Sequence, residues 1–201
     1  MKKFSVLICV FLSVVFLVIA TSVYPGGSIL NSHSVGFDWT KNFFSNLFLT
    51  KALNGADNPS RIWALIGMFF NSLGYGLFFM HTAKKIPHNH TKWVLKTIGI
   101  VNMVFTFLIA TALHDIMVTV ASTLTMLGLF YITVFVLRSK LHWLKFICVI
   151  SLLLFYYTLF LFGTGNWGLL AILQKLSFIC FTVLIVLIEY GTTHSDFQPD
   201  K

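Results

Sequence analysis

The sequence contains few charged residues. Asp, Glu, Lys and Arg make up 10% of its 201 residues, whereas a soluble domain carries about 25%. So few charged side chains cannot cover the surface of a soluble protein, which excludes a soluble globular domain. Hydrophobic residues account for 57% of the chain, and the mean hydropathy is +0.87. These proportions predict a protein embedded in a membrane.

Residues that build disulfides and metal sites are also scarce. Cys9, Cys148 and Cys180 each lie inside an apolar stretch, without a CxxC pair or a Cys/His spacing, so we interpret them as packing residues. A zinc hydrolase needs about three converging ligands, but most histidines lie in two basic connectors. On the side of the membrane away from these connectors, the candidate zinc ligands would be His33, His114 and carboxylates. We therefore expect no disulfide, no metal site and no cofactor.

Long apolar runs are what the sequence has in abundance. A helix needs about 20 mostly apolar residues to cross a bilayer, and six stretches approach this length. They predict an all-α polytopic membrane helix bundle, one domain over residues 1–188, followed by a disordered cytoplasmic tail at 189–201. A cleaved signal peptide is the alternative for the first stretch, but its apolar run exceeds the usual range of about 7–15 residues. The predicted spans are 4–23, 60–80, 93–113, 117–137, 144–162 and 167–188.

Basic residues mark one side of the predicted bundle. The positive-inside rule places that side, with both termini, in the cytoplasm. The net charge of +8 then reflects topology and anionic headgroups. Nucleic acid is not an expected partner, because no basic motif with interleaved aromatic residues is present. The basic side carries Lys2, Lys3, Lys84, Lys85, Lys92, Arg138, Lys140 and Lys145, and the other side carries Lys41, Lys51 and Arg61.

The longest stretch that cannot cross a membrane is residues 24–60, here named the first loop. Within it, residues 38–51 have a helical periodicity that predicts an interfacial amphipathic helix. Its apolar side would carry Phe43, Phe44, Leu47 and Phe48, and its polar side Asn42, Ser45, Asn46 and Thr50. We expect this helix to lie over the outer end of the bundle.

Small and polar residues on the spans predict close helix packing. Gly67, Asn71 and Gly74 recur on one face of the second span, where small side chains let another helix approach. Asn102 and Thr106 lie one turn apart on the third span and suit hydrogen bonds between helices.

Lys175 is the most unusual residue of the chain, because it lies about 12 Å along the sixth span from its outer end. A lysine near the middle of a membrane costs about 2.5–3.5 kcal/mol and is expected to face the bundle interior. Asp38 and Asp115 are its expected partners. Together with Gln174, these residues form a predicted ligand-binding site near the outer surface. The same contacts would alternatively serve as an ion pair that stabilises the bundle.

The sequence assigns no catalytic residue. His114, Asp115 and Ser45 are the candidates considered, the first two as acid/base groups. A lone serine without a GxSxG context does not identify a nucleophile. Asp115 is equally well placed to cap the fourth span.

The layout also resembles a known family. Residues 42–47, Asn-Phe-Phe-Ser-Asn-Leu, stand in the long outer loop where that family carries an Ile-Ser-Glu-Leu-Gly-like element. Asn58-Pro59 precedes the second span, and His114 lies at the turn between the third and fourth spans. In these features the chain resembles bacterial six-span membrane proteins of unknown function related to the Frag/DRAM group, although Asn46 replaces the acidic residue and Phe48 the glycine. The resemblance implies a protein of the bacterial plasma (inner) membrane without an established catalytic activity.

Three functions remain open from the sequence. The favoured one is a non-enzymatic membrane protein with a polar, lipid-facing pocket on the outer side. The second is an outer-leaflet lipid-modifying enzyme that uses His114 and Asp115, with Lys175 holding an anionic headgroup. The third is a small transporter, although no inverted repeat is visible. Membrane lipid is the expected partner, with a membrane protein as a further possibility.

Overall fold

The computed structural model describes residues 4–198, which form six long α-helices. Each helix is long and apolar enough to span a membrane. The chain is therefore a multi-pass, all-α membrane protein, which confirms the predicted fold class and number of spans. The helices are α1 (Ser5–Ser22), α2 (Ser60–Lys85), α3 (Asn89–Leu108), α4 (His114–Arg138), α5 (His142–Thr164) and α6 (Trp167–Gly191). Lys2 and Lys3, which contributed to the predicted orientation, lie outside the described residues.

Helix α3 begins and ends about one turn earlier than predicted. The hydroxyl of Thr111 donates to the carbonyl of Leu108 at 2.7 Å and accepts from the amide of Leu113 at 3.2 Å. These bonds form a turn that the apolar composition of residues 109–113 did not reveal. As a result α4 begins at His114, so His114 and Asp115 lie in its first turn and not in a connector.

Close packing at glycines joins the first three helices. A Cβ on Gly67 would lie 3.3 Å from the carbonyl oxygen of Ser13 in α1, and one on Gly74 would lie 3.1 Å from Cβ of Cys9. Between α2 and α3, a Cβ on Gly99 would lie 2.9 Å from the carbonyl oxygen of Gly76. The glycines of the second span thus pack as predicted, and α2 lies between α1 and α3.

Polar contacts between helices are few. The amide of Asn102 in α3 donates to the hydroxyl of Thr125 in α4 at 2.7 Å. Between α5 and α6, the hydroxyls of Thr158 and Ser177 lie 2.7 Å apart. The main apolar cluster of the interior contains Phe181 and the neighbouring rings of α2. The spacing identified Asn102 as a hydrogen-bonding residue but did not identify its partner.

The end of the chain corrects one prediction. We expected disorder from residue 189 onwards, but Phe197 is 4% exposed and packs into the apolar core. Lys85 donates to the carbonyls of Ile188 and Glu189 at 2.9 and 2.6 Å, and these bonds satisfy the end of α6. The imidazole of His194 contacts the carbonyl of Lys85 at 2.7 Å. The prediction is therefore wrong for residues 189–198, and 199–201 lie outside the described residues.

The first loop contains a helix, but a much shorter one than the predicted 38–51. Only Phe44–Phe48 is helical, and it is a 3-10 helix. Asn42 and Asn46, which we placed on the solvent side, are 0% and 6% exposed. Their side chains bond to loop backbone and so replace the hydrogen bonds of a longer α-helix.

We predict that Gly99→Ala destabilises the protein, whereas Gly163→Ala does not. The added methyl group at position 99 meets the rigid backbone of Gly76, and overpacking costs about 1–3 kcal/mol, which outweighs the roughly 1 kcal/mol by which alanine favours a helix. Gly163 in α5 has open space around it and gains only the helix preference. The thermal midpoint in detergent should fall for the first variant alone. Equal midpoints for the two variants would contradict the close contact of α2 and α3.

Candidate functional site

A cavity of about 450 Å³ lies at the end of the bundle that carries the first loop. Helices α2, α4, α5 and α6 form most of its walls, with Leu17 of α1 and Thr106 of α3. The first loop also lines it, and we name residues 42–48 of that loop the covering segment. Its walls are mostly apolar and aromatic. The lining residues used below are Phe43, Phe44, Ser45, Asn46, Asn71, Tyr75, His114, Asp115, Ala121, Ser122, Thr125, Phe162, Trp167, Gln174, Ser177, Phe178 and Phe181.

The cavity is deep and changes character along its length. Trp167 lines it at the first residue of α6 and Phe181 lines it 14 residues later, which corresponds to about 21 Å of helix. The ionisable groups His114 and Asp115 lie at the loop end, in the first turn of α4. The cavity wall is therefore mostly apolar along its length, and a carboxylate and an imidazole lie at the loop end, which we name the mouth.

The mouth lies next to the outer surface of α4 and α5. A shallow groove there is lined by Asp115, Ile116, Thr119, Val120 and Phe162. Ile116 is 62% exposed, so this groove lies on the outside of the bundle. Asp115 and Phe162 line both the groove and the cavity. They therefore mark the boundary between the cavity and the surroundings of the helices.

Asparagine side chains shape the covering segment of the first loop. The side-chain amide of Asn42 donates to the carbonyl of Gly27 at 2.6 Å, and its oxygen accepts from the amide of Asp38 at 2.9 Å. The oxygen of Asn46 accepts from the amide of Phe43 at 2.7 Å. These bonds satisfy backbone groups that no helix or strand satisfies, as buried polar groups require.

Asn58 joins the covering segment to the start of α2. Its side-chain nitrogen donates to the carbonyls of Asn46, Leu47 and Leu49, at 3.3, 3.3 and 2.8 Å. Its oxygen accepts from the amide of Ser60, the first residue of α2, at 3.2 Å. The side chain of Asn58 therefore bonds both to the loop and to the start of α2.

Lys175 attaches the covering segment to α6. Its ammonium group donates to the carbonyl of Asn42 at 2.5 Å and to that of Ala171 at 2.6 Å. It also lies 5.7 and 5.8 Å from the ring centres of Phe37 and Phe44. The neighbouring Gln174 accepts from the amide of Phe44 at 3.1 Å. Two consecutive residues of α6 therefore hold the loop.

The expected ion pairs of Lys175 are not formed among the described residues. Asp38 instead lies 3.4 Å from the ammonium group of Lys41, and Asp115 pairs with His114. The pKa of Asp38 is lowered, first by hydrogen bonds from the hydroxyl and amide of Thr40 and then by Lys41. Lys175 is 7% exposed and so faces the interior, as expected, but carbonyls and rings surround it.

The structure brings four of the candidate residues to one cavity. Ser45, His114 and Asp115 all line it, as does Gln174, whereas Lys175 and Asp38 do not. Nδ1 of His114 lies 2.9 Å from a carboxylate oxygen of Asp115. The side chain of Asp115 is 89% exposed and does not cap α4. Within the described residues, the hydroxyl of Ser45 forms no hydrogen bond with His114, so no nucleophile–base contact is present.

Sequence reasoning missed most of the cavity wall. Gln174 was predicted, but Ser177 and Phe181, which line the cavity from the same face of α6, were not. Thr158 of α5, which meets Ser177, was missed as well. Polar residues on one face of an otherwise apolar span were the available signal. Asn71 and Tyr75 of α2 gave no such signal, because small and polar residues on a face of α2 fit helix packing equally well. Within residues 4–198, no group of three His, Cys, Asp or Glu residues is placed to hold a metal ion.

The comparisons with known proteins leave the site to be interpreted from its own geometry. No family model matches the chain, and no curated protein or solved structure matches it significantly.

We predict that Lys175→Met loosens the first loop. A hydrogen bond to a charged group contributes about 1.5–3 kcal/mol, so the loop should open at least about tenfold more often. Removing the ammonium group also removes the cost of burying it, so the midpoint of global unfolding is not the informative quantity. Hydrogen exchange of the amides in residues 42–48 should become about tenfold faster.

Lys41→Met is the matched control for this change. It removes a lysine of the same loop whose side chain is 45% exposed and pairs with Asp38 at the surface, where such pairs contribute little. Loop exchange should therefore stay near the parent rate. Equal acceleration in both variants would show that Lys175 does not hold the loop.

Proposed function

We propose that this protein is a non-enzymatic membrane protein that binds the apolar chain of a membrane lipid or similar amphiphile in the loop-end cavity. The observation that carries the proposal is the amphipathic cavity itself. Its volume of about 450 Å³ falls within the range of about 300–1,000 Å³ for small-molecule sites. A deep, mostly apolar wall with a carboxylate and an imidazole at one end fits an amphiphile better than a compact polar solute.

The aromatic wall supports an extended chain as the occupant. Tyr75, Phe178 and Phe181 surround the deeper part of the cavity. The ring centres of Tyr75 and Phe181 are 4.9 Å apart at 82°, so these rings are packed against each other. Each methylene group buried against such a wall contributes about 0.8 kcal/mol. A chain of several methylenes would therefore bind without a strong polar contact.

The membrane and the orientation are part of the proposal. We place the protein in the bacterial plasma (inner) membrane with both termini in the cytoplasm. The distribution of basic residues supports this orientation, because Lys84, Lys85, Lys92, Arg138 and Lys140 all lie near the end opposite the first loop. The mouth would then face the outer leaflet. The resemblance to the Frag/DRAM-related proteins stays a prediction.

One observation favours the enzymatic alternative, a lipid-modifying reaction. Ser45, His114 and Asp115 share the cavity. Against it, the carboxylate of Asp115 is largely exposed and, within residues 4–198, its side-chain hydrogen bond is to His114 alone, whereas a catalytic carboxylate is usually fixed by its surroundings. The transporter alternative gains no support, because the lining residues of α4 end at Thr125, about halfway along that helix.

The test of lipid binding uses two neighbouring positions of α4. Ser122 lines the cavity, whereas Thr123 is exposed on the outside of the helix. A phenyl ring at position 122 would fill space needed by at least two methylenes, a loss of about 1.6 kcal/mol. Ser122→Phe should therefore weaken binding of a pyrene-labelled lysolipid by about tenfold or more.

Thr123→Phe adds the same ring on the outer surface and should leave probe affinity within about twofold of the parent. Helix content and thermal midpoint should be compared to exclude misfolding. Equal, saturable binding by the parent and both variants would place the probe outside the cavity and refute the proposal. Absence of saturable binding by the parent would refute it as well.

A further inference from the structure

We propose that the mouth of the cavity selects amphiphiles with an ammonium headgroup, and that Asp115, His114 and the rings of Phe162 and Trp167 form the selective site. This inference rests on the proposed function and specifies the chemistry of the bound headgroup. It replaces the expectation, drawn from Lys175, of an anionic headgroup.

The charges that line the cavity favour a cation. Its ionisable lining residues are Tyr75, His114 and Asp115, and no Lys or Arg lines it among the described residues. Lys175 donates to the carbonyls of Asn42 and Ala171 and does not line the cavity. An anionic headgroup would therefore meet a carboxylate without a permanent positive charge beside it.

The position of Asp115 leaves it free to bind a ligand. One carboxylate oxygen contacts Nδ1 of His114 at 2.9 Å, and within residues 4–198 the other oxygen accepts no hydrogen bond. The start of a helix favours a negative charge, and Asp115 in the first turn of α4 already supplies one. The helix end therefore stabilises the carboxylate and does not need an anionic ligand.

His114 adds a second acceptor to the mouth. In the neutral ring, a proton on Nδ1 donates to Asp115, and Nε2 is then left as a hydrogen-bond acceptor. An ammonium group with N–H donors could bond to both Nε2 of His114 and the free oxygen of Asp115. A phosphate or carboxylate group offers only acceptors when fully ionised and would be repelled by both.

Aromatic rings complete the site. The rings of Phe162 and Trp167 have centres 5.9 Å apart at 87°, and Phe43 lies 6.3 Å from Trp167 at 88°. Phe162 lines the mouth together with Asp115. Cations are attracted to the faces of such rings, most strongly to tryptophan. A carboxylate beside Phe162, whose ring contacts that of Trp167, is a chemical environment that suits an ammonium group.

The experiment is a competition against the pyrene-labelled lysolipid with four unlabelled ligands of matched chain length. These are lysophosphatidylethanolamine, lysophosphatidylcholine, lysophosphatidylglycerol and a plain alkylamine. The parent protein should bind the ethanolamine lipid about five- to tenfold more tightly than the glycerol lipid. The alkylamine tests whether the lipid phosphate contributes to binding. If the phosphate contributes nothing, the alkylamine should compete as well as the ethanolamine lipid.

Asp115→Asn keeps the shape of the side chain and removes its charge. It should abolish the preference for ammonium ligands and leave the affinity for the glycerol lipid unchanged or higher. Asp57→Asn is the control, since Asp57 is exposed in the first loop and does not line the cavity. That variant should retain the full preference.

Two outcomes would overturn the inference: a parent protein that binds the glycerol lipid as tightly as the ethanolamine lipid, or an unchanged preference in Asp115→Asn. In both cases the probe still binds and is still weakened by Ser122→Phe, so lipid binding by the cavity would stand. Failure of Ser122→Phe to affect the probe would instead remove the proposed function.

Discussion

The backbone of the first loop is buried against the helix ends without being helical, and its polar groups need partners there. Buried amides and carbonyls without partners are costly, and the cost is greatest near a membrane. Asn42, Asn46 and Asn58 supply most of these partners from within the loop. Lys175 and Gln174 supply two more from α6, to the carbonyl of Asn42 and the amide of Phe44. The loop can cover the bundle only because these side chains replace the missing helical hydrogen bonds.

This arrangement also determines the charge of the cavity. The ammonium group of Lys175 is used to hold the loop by the carbonyl of Asn42 and by contacts with Phe37 and Phe44. The most unusual charge in the membrane region is thus structural, and it is shielded from the space beneath the loop. Asp115 and His114 remain as the charged or titratable groups at the mouth. A lysine that bound ligand directly would have made the same cavity a site for anions.

Sequence alone predicted the six spans, the glycine packing of α2 and the interior position of Lys175, because each follows from apolar length, spacing or the cost of a charge in lipid. It failed for the first loop, where helical periodicity at 38–51 arose from residues that do not form an α-helix. The same pattern of polar and apolar residues results when the side chains of Asn42 and Asn46 face inward and form hydrogen bonds with backbone amides of the loop. Periodicity cannot separate these cases, since an asparagine is compatible with solvent and with a buried carbonyl. The partner of Lys175 was missed for a related reason: a backbone carbonyl leaves no mark in the sequence.

The central claim is that an acyl chain enters the cavity between α2, α4, α5 and α6. The most direct measurement is photocrosslinking in bilayer vesicles with a lysophosphatidylethanolamine whose acyl chain carries a diazirine near its methyl end, followed by peptide mapping. The account predicts saturable crosslinks to interior residues such as Tyr75, Ser177 and Phe181. Crosslinks confined to outward-facing residues such as Phe130 and Leu153, which are 52% and 58% exposed, would contradict it.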